Sequence, residues 1–243
     1  MRLITFFLSV LLAQMPVLAG REFTVLVYNV ENLFDLDGVA LYSDYEQPPN
    51  GIYGPEQLLG KFESIYQSLA SFEETAGPEI IMFQEFELDR TPFDTPRTND
   101  FLEIASGYTL EEILLEGKSI GVSVNNLPVE LMLLKYLEDR GMKGYKIAQP
   151  DPFISESHPA HKNVVFTRFP IKYVRQRPVL DARDVLIVGL DIDGQELVLL
   201  DNHWKSGASS PEIEPIRIQN AHVVRAEVDA LLREIELLRN ESP

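Results

Sequence analysis

The sequence predicts one α/β domain that carries a site along one rim of its sheet, and three stretches lead there. Phe23 to Val27 is a short run of β-branched and aromatic residues that reads as a buried strand. It then turns polar, with Asn29, Glu31, Asn32 and Asp35 close together. Leu58, Phe62, Ile65, Leu69 and Phe72 recur at steps of four and three, an amphipathic helix opened by Pro55 and ended by Gly77-Pro78. Glu79-Ile80-Ile81-Met82-Phe83 reads as a second buried strand with Gln84-Glu85 at its end. Strand, loop, helix and strand, with polar groups at both strand ends, is the layout of an α/β sheet with a functional rim. An ordinary strand exit followed by an Asn/Asp-rich turn would also explain the first cluster.

The remaining elements follow in order. Gly38 to Gly54 is rich in Tyr, Asp, Pro, Asn and Gly and reads as a long exposed loop. Pro92, Pro96 and Asn99 mark loops, and Leu110 to Leu115 fits a short helix or a strand. Pro128 to Arg140 reads as a helix capped by Asn126 and stopped by Gly141. Tyr145 to Ala148, Val164 to Thr167 and Ile171 to Val174 read as strands. Asp184 to Asp191 and Glu196 to Asp201 form a hairpin around Asp193-Gly194. The second hairpin strand runs into Asn202-His203-Trp204-Lys205-Ser206-Gly207. Ile218, Ala221, Val224, Val228, Leu231, Ile235 and Leu238 then predict a closing helix of about six turns.

Composition narrows the function classes. The 243 residues, 45% of them hydrophobic, suffice for a single large core. Residues 1 to 19 pair Arg2 with the apolar run Leu3 to Leu12, a secretory signal pattern too short to span a bilayer comfortably. The expected product is therefore secreted or periplasmic, with residues 20–243 as its domain and no stable membrane span. Cysteine is absent, which excludes disulfides and thiolate metal sites. The formal charge is −17, and removing Arg2 with the signal segment leaves one positive charge fewer. So acidic a chain repels nucleic acid at long range, and a phosphate-bearing substrate must be held by cations or a few placed basic groups.

Three strand ends thus carry polar clusters: Asn29 with Glu31, Gln84-Glu85, and Asn202-His203 with Lys205. An amide, two carboxylates and a histidine suit magnesium-assisted phosphoester chemistry. Carboxylate oxygens hold the ion, and the imidazole donates to a phosphate oxygen. Lys205 is either a phosphate neighbour or an ordinary surface lysine. His158 and His161 invite a transition-metal reading without an evident third ligand. Trp204 reads as a rim or core aromatic, and Arg217 as a partner of a site carboxylate or a residue at the helix start.

At these residues the chain resembles the endonuclease/exonuclease/phosphatase superfamily. Tyr28-Asn29-Val30-Glu31-Asn32-Leu33-Phe34-Asp35 is similar to its first motif, and Pro78 to Glu85 to its second. Thr167-Arg168-Phe169-Pro170-Ile171 resembles its Phe-Pro-Ile turn, and Asn202 to Gly207 its Asn-His-Trp-Lys-Ser-Gly segment. The resemblance implies a deoxyribonuclease I-like layered α/β sandwich with mixed central sheets. It implies Glu85, Glu31 and Asn29 around Mg²⁺ or Mn²⁺, and His203, Glu85 and Asn29 as the catalytic set. It implies a monomer acting on a phosphodiester, nucleic acid first and a lipid or small molecule as the alternative. The family's later Gly-Asp-x-Asn and Ser-Asp-His motifs do not occur. The resemblance therefore implies a domain incomplete at its C-terminus, from a truncated product or a partial sequence, and leaves open a fragment without activity.

Overall fold

The computed structural model describes residues 21–46, 51–72, 76–89, 98–150, 160–207 and 209–241. The expected signal segment, the loop around Pro92 and Pro96, and His158 lie outside them. Among the described residues, four of the seven strands form a mixed sheet: β1 (Val25–Leu33), β2 (Ile80–Glu87), β3 (Lys146–Ala148) and β4 (His161–Thr167), in the order β1-β2-β4-β3. β1 runs parallel to β2, whereas β2 and β3 are antiparallel to β4. The second sheet is antiparallel throughout: β5 (Ile171–Arg177), β6 (Val185–Ile192) and β7 (Gln195–Asp201). Its β6–β7 hairpin turns where expected, on Asp193 (φ 53°) and Gly194 (φ 84°), the left-handed pair that a two-residue turn requires.

Alternation along the strands builds the layers. On β2, Ile81 and Phe83 face one way and join Val164 and Phe166 of β4. They pack under α1 (Pro55–Leu69) and α4 (Val129–Asp139), which contribute Leu58, Phe62, Leu133 and Leu137. Ile80 of β2 and Val165 of β4 face the other way, against Leu186, Val188, Leu190 and Leu199 of the second sheet. The outer face of that sheet carries Val185 and Ile187, against Val223 and Val224 of α5 (Glu214–Glu241). The result is helix, sheet, sheet, helix. Phe83, Phe86 and Phe166 are fully buried and meet at 5.0–6.3 Å, each burial worth roughly 1.5–3 kcal/mol.

Several expectations need correction. β1 is not buried along its first half. It lies at the sheet edge, and Val25 and Val27 are 42% and 63% exposed. The two polar clusters sit within β1 and β2, because both strands continue past them through bulges. The loop before α1 is not simply exposed: a turn of 3₁₀ helix at Ser43–Tyr45 and the buried Tyr53 pack Tyr45 onto Phe34. Asn99 lies in a short helix, α2 (Thr98–Ile104). Leu110–Leu115 is a helix, α3, because Thr109 and Glu112 form a reciprocal capping box. Asn126 does not cap α4, which starts after Pro128 with no side-chain cap. α5 has 28 residues and is longer than its apolar spacing predicted. Arg217 pairs with Glu214 at the start of α5, at 3.9 Å.

Candidate active site at the paired bulges

The backbone prepares the site. Asn29 of β1 lies opposite Gln84 of β2, and both strands lose register immediately afterwards. There Glu31, Asn32 and Glu85 adopt φ of 53°, 63° and 67°. Non-glycine residues in the left-handed region cost of order 1–3 kcal/mol each and persist where the surroundings enforce them. Local bonds do so here. Asn29 Oδ1 accepts from the Glu31 N–H at 2.8 Å, and Glu85 Oε2 accepts from the Asn32 N–H at 3.1 Å. The bulges turn residues 31 and 85 out of the alternation that would otherwise fix their faces.

The second sheet brings the histidine. Gln84 Nε2 donates to Asp201 Oδ1 at 2.7 Å, and Asn163 Nδ2 donates to the Asp201 carbonyl at 3.2 Å, joining the two sheets below the rim. Two residues beyond Asp201, His203 Nε2 stands 3.6 Å from Glu85 Oε1, with its Nδ1 buried and without a protein partner. Burial pushes the His203 ring below the ordinary histidine pKa; Arg183 adds to this and Glu85 opposes it. Asn29, Glu31, Glu85 and His203 are therefore gathered at one rim, Asn29 and Glu31 on its exposed side. Lys61 and Tyr45 each lie within the field of both Glu31 and Glu85. Lys205 and Trp204 are half-buried beside His203, and the indole Nε1 is buried without a partner.

The sequence did not single out Arg183 at this rim, and it marked His161 only as a transition-metal ligand. Arg183 precedes β6, and its Nη2 lies 3.5 Å from His161 Nδ1, while its Nε is buried without a partner. Burial lowers the pKa of Arg183, and the Glu85 carboxylate opposes that. His161 belongs to β4 and not to a loop, and is 2% exposed with Nε2 unpartnered. Burial, helped by Arg183, pushes it down to about 4. Such a neutral histidine against a guanidinium is not a metal cluster, and the transition-metal reading of His161 has no support from its surroundings.

The rim carries oxygen donors in the carboxylates of Glu31 and Glu85 and the amide of Asn29. That donor set fits a hard divalent cation such as Mg²⁺. A second oxygen cluster adjoins it. Asp35, Asp37 and Asp89 each bring one carboxylate oxygen within 4.8 Å of the others. Asp35 is pushed up to about 9, by burial first and then by Glu87.

No protein-family model matches the chain, and no curated protein matches its sequence. Among solved structures it is similar to TDP2 from Caenorhabditis elegans, at 14% identity and TM-score 0.42, over 80% of this chain and 42% of that one. A truncated form of TDP2 from the same organism gives 14% and 0.42, over 74% and 52%. An endonuclease/exonuclease/phosphatase family protein from Leptotrichia buccalis gives 14% and 0.43, over 81% and 59%. The chain thus spans between 42% and 59% of the length of these proteins.

Proposed function

We propose that this chain is an exported, divalent-metal-dependent phosphodiesterase of the endonuclease/exonuclease/phosphatase type, with nucleic-acid phosphodiesters as its substrate class. One observation carries the reading: a carboxylate on a strained bulge of one sheet faces an imidazole from the other at 3.6 Å, beside a guanidinium with an unsatisfied donor. Unpaired buried donors are costly unless something completes them. A phosphate would complete them, accepting from Arg183 and from whichever of the His203 and His161 ring nitrogens carries the proton.

The roles divide between the two sides of the rim. Glu85, Glu31 and Asn29 would hold Mg²⁺ or Mn²⁺, which when bound offsets the charge of the phosphate. Glu85 keeps Oε2 on the Asn32 N–H and turns Oε1 toward the site. His203, neutral through burial, donates one N–H to a non-bridging oxygen, and Arg183 supplies the fixed positive charge. Water attacks phosphorus in line, the bond to the leaving oxygen breaks, and these donors are worth most as charge builds on the equatorial oxygens. Export is supported by the pattern of residues 1–19. Among the described residues no helix is long and apolar enough to cross a membrane.

The test is hydrolysis of an activated phosphodiester, bis(p-nitrophenyl) phosphate, with Mg²⁺ or Mn²⁺. His203→Ala is expected to lower the rate by roughly 10²–10³-fold, the usual effect of removing one transition-state donor. Metal-dependent turnover that survives both His203→Ala and Glu85→Gln would refute the reading. The charge of −17 favours a second one, a small-molecule or lipid phosphodiester, because such substrates meet less long-range repulsion than a polyanion. Relative turnover of DNA, sphingomyelin and inositol phosphates separates the two.

A further inference from the structure

Beside the rim, between residues 44–45 and 52–53 on one side and α1 on the other, lies a cavity of about 490 Å³. Tyr45, Ile52, Tyr53, Gln57, Gly60 and Lys61 line it among the described residues. We propose that this cavity is a subsite for the planar base of a nucleotide substrate, an inference that rests on the phosphodiesterase reading and names its substrate class. The volume falls within the roughly 300–1,000 Å³ of small-ligand sites.

Continuity with the reacting centre is direct. Lys61 Nζ donates to the carbonyl of Glu31 at 2.6 Å and lies 3.4 Å from that of Val30, tying the cavity wall to the strained bulge. Tyr45 is stacked on Phe34 at 4.4 Å and contacts Tyr53 at 4.9 Å, so its ring is held in place before any ligand arrives. A rigid aromatic wall gives a base a face to stack on at small entropic cost.

Gly60 is the independent sign. It sits in the middle of α1, where glycine is disfavoured relative to alanine, yet a Cβ there would meet nothing within 4 Å. No neighbour among the described residues demands its smallness, and the space it leaves belongs to the cavity. Ile52 stands 82% exposed at the same cavity, a large apolar side chain that folding leaves uncovered. A covering ring would remove it from water.

The chemistry of the lining selects the ring. A cationic headgroup such as choline would meet the Lys61 ammonium as well as the Asp44 carboxylate, so the lining offers it no net charge. A polyol such as inositol would leave the aromatic wall uncompensated. A base offers a flat face to Tyr45 and Ile52, and its edge offers donors and acceptors to the Gln57 amide and the Asp44 carboxylate.

The test compares binding of AMP, adenosine, phosphocholine and inorganic phosphate to the full chain with Mg²⁺, by calorimetry. AMP is expected to bind tighter than inorganic phosphate or phosphocholine by roughly tenfold or more, the scale of base–aromatic stacking. Gly60→Phe, which fills the cavity, and Ile52→Asp, on an exposed loop, should each abolish that preference and leave phosphate affinity unchanged. Two variants guard against one failing to fold. AMP binding no tighter than phosphate, or a preference that survives both variants, would overturn the proposal. Adenosine carries no phosphate and reports on the subsite alone. Loss of phosphate binding in Glu85→Gln reports on the phosphodiesterase reading alone.

Discussion

Asp201 shows how single residues at this rim trade stability for position. Its carboxyl is 1% exposed, one oxygen is bonded by Gln84, and the other has no partner. Burial pushes it up to about 7, against the bond from Gln84. The folded state therefore holds this proton more tightly than the unfolded chain. The stability that Asp201 contributes is full below about pH 4 and is lost as pH rises toward about 7. His161 acts in the opposite sense. Its ring is held down to about 4, so acidification from the ordinary histidine range toward pH 4 destabilises the fold. Asp201→Asn should remove the first slope: in urea titrations between pH 4 and 7, stability relative to the parent should increase as pH rises. An unchanged profile would mean that Asp201 is solvated. At this scale the sequence was informative where polar residues end apolar runs, as at Glu85 and His203. It was silent on Arg183 and misleading on His161, because their places are set by burial against elements distant in the chain.

Among the elements, α3 illustrates a local decision made by one box of side chains. Six residues of Leu110–Leu115 fit helix or strand equally by pattern. Thr109 accepts from the Glu112 N–H at 3.2 Å, and Glu112 accepts from the Thr109 N–H at 2.7 Å, so the first helical turn is satisfied from both sides. Thr109→Ala should cost about 1 kcal/mol in equilibrium denaturation and leave phosphate binding unchanged. A loss of phosphate binding would tie α3 to the site, contrary to its place in the fold. The bulges of β1 and β2 were not legible, since no glycine marks the left-handed positions at 31, 32 and 85. Their cause lies in bonds between strands, such as Glu85 to the Asn32 N–H. The Asp-Gly hairpin was legible, because its turn chemistry is entirely local.

Across the whole molecule, the two-sheet division could not be read from strands that all look alike as apolar runs. It becomes visible in which face each residue buries: Ile81 toward the helices, Ile80 toward the second sheet. The same accounting exposes Val25 and Val27 on β1, an edge strand with an uncovered apolar face among the described residues. Exposed edges of this kind promote association. Val27→Lys should lower self-association in light scattering without lowering the melting temperature appreciably; unchanged scattering would place the sticky surface elsewhere. The proposed divalent-ion site is the pair of bulges and not the neighbouring acidic triad. It is tested most directly by Mn²⁺ titration of the full chain, with Glu85→Gln and Asp89→Asn in parallel. Mn²⁺ binding should weaken on the order of 100-fold or more in Glu85→Gln, since loss of an outer-shell partner alone costs roughly 10–100-fold, and should stay nearly unchanged in Asp89→Asn. Binding indifferent to Glu85→Gln, or lost only in Asp89→Asn, would contradict it.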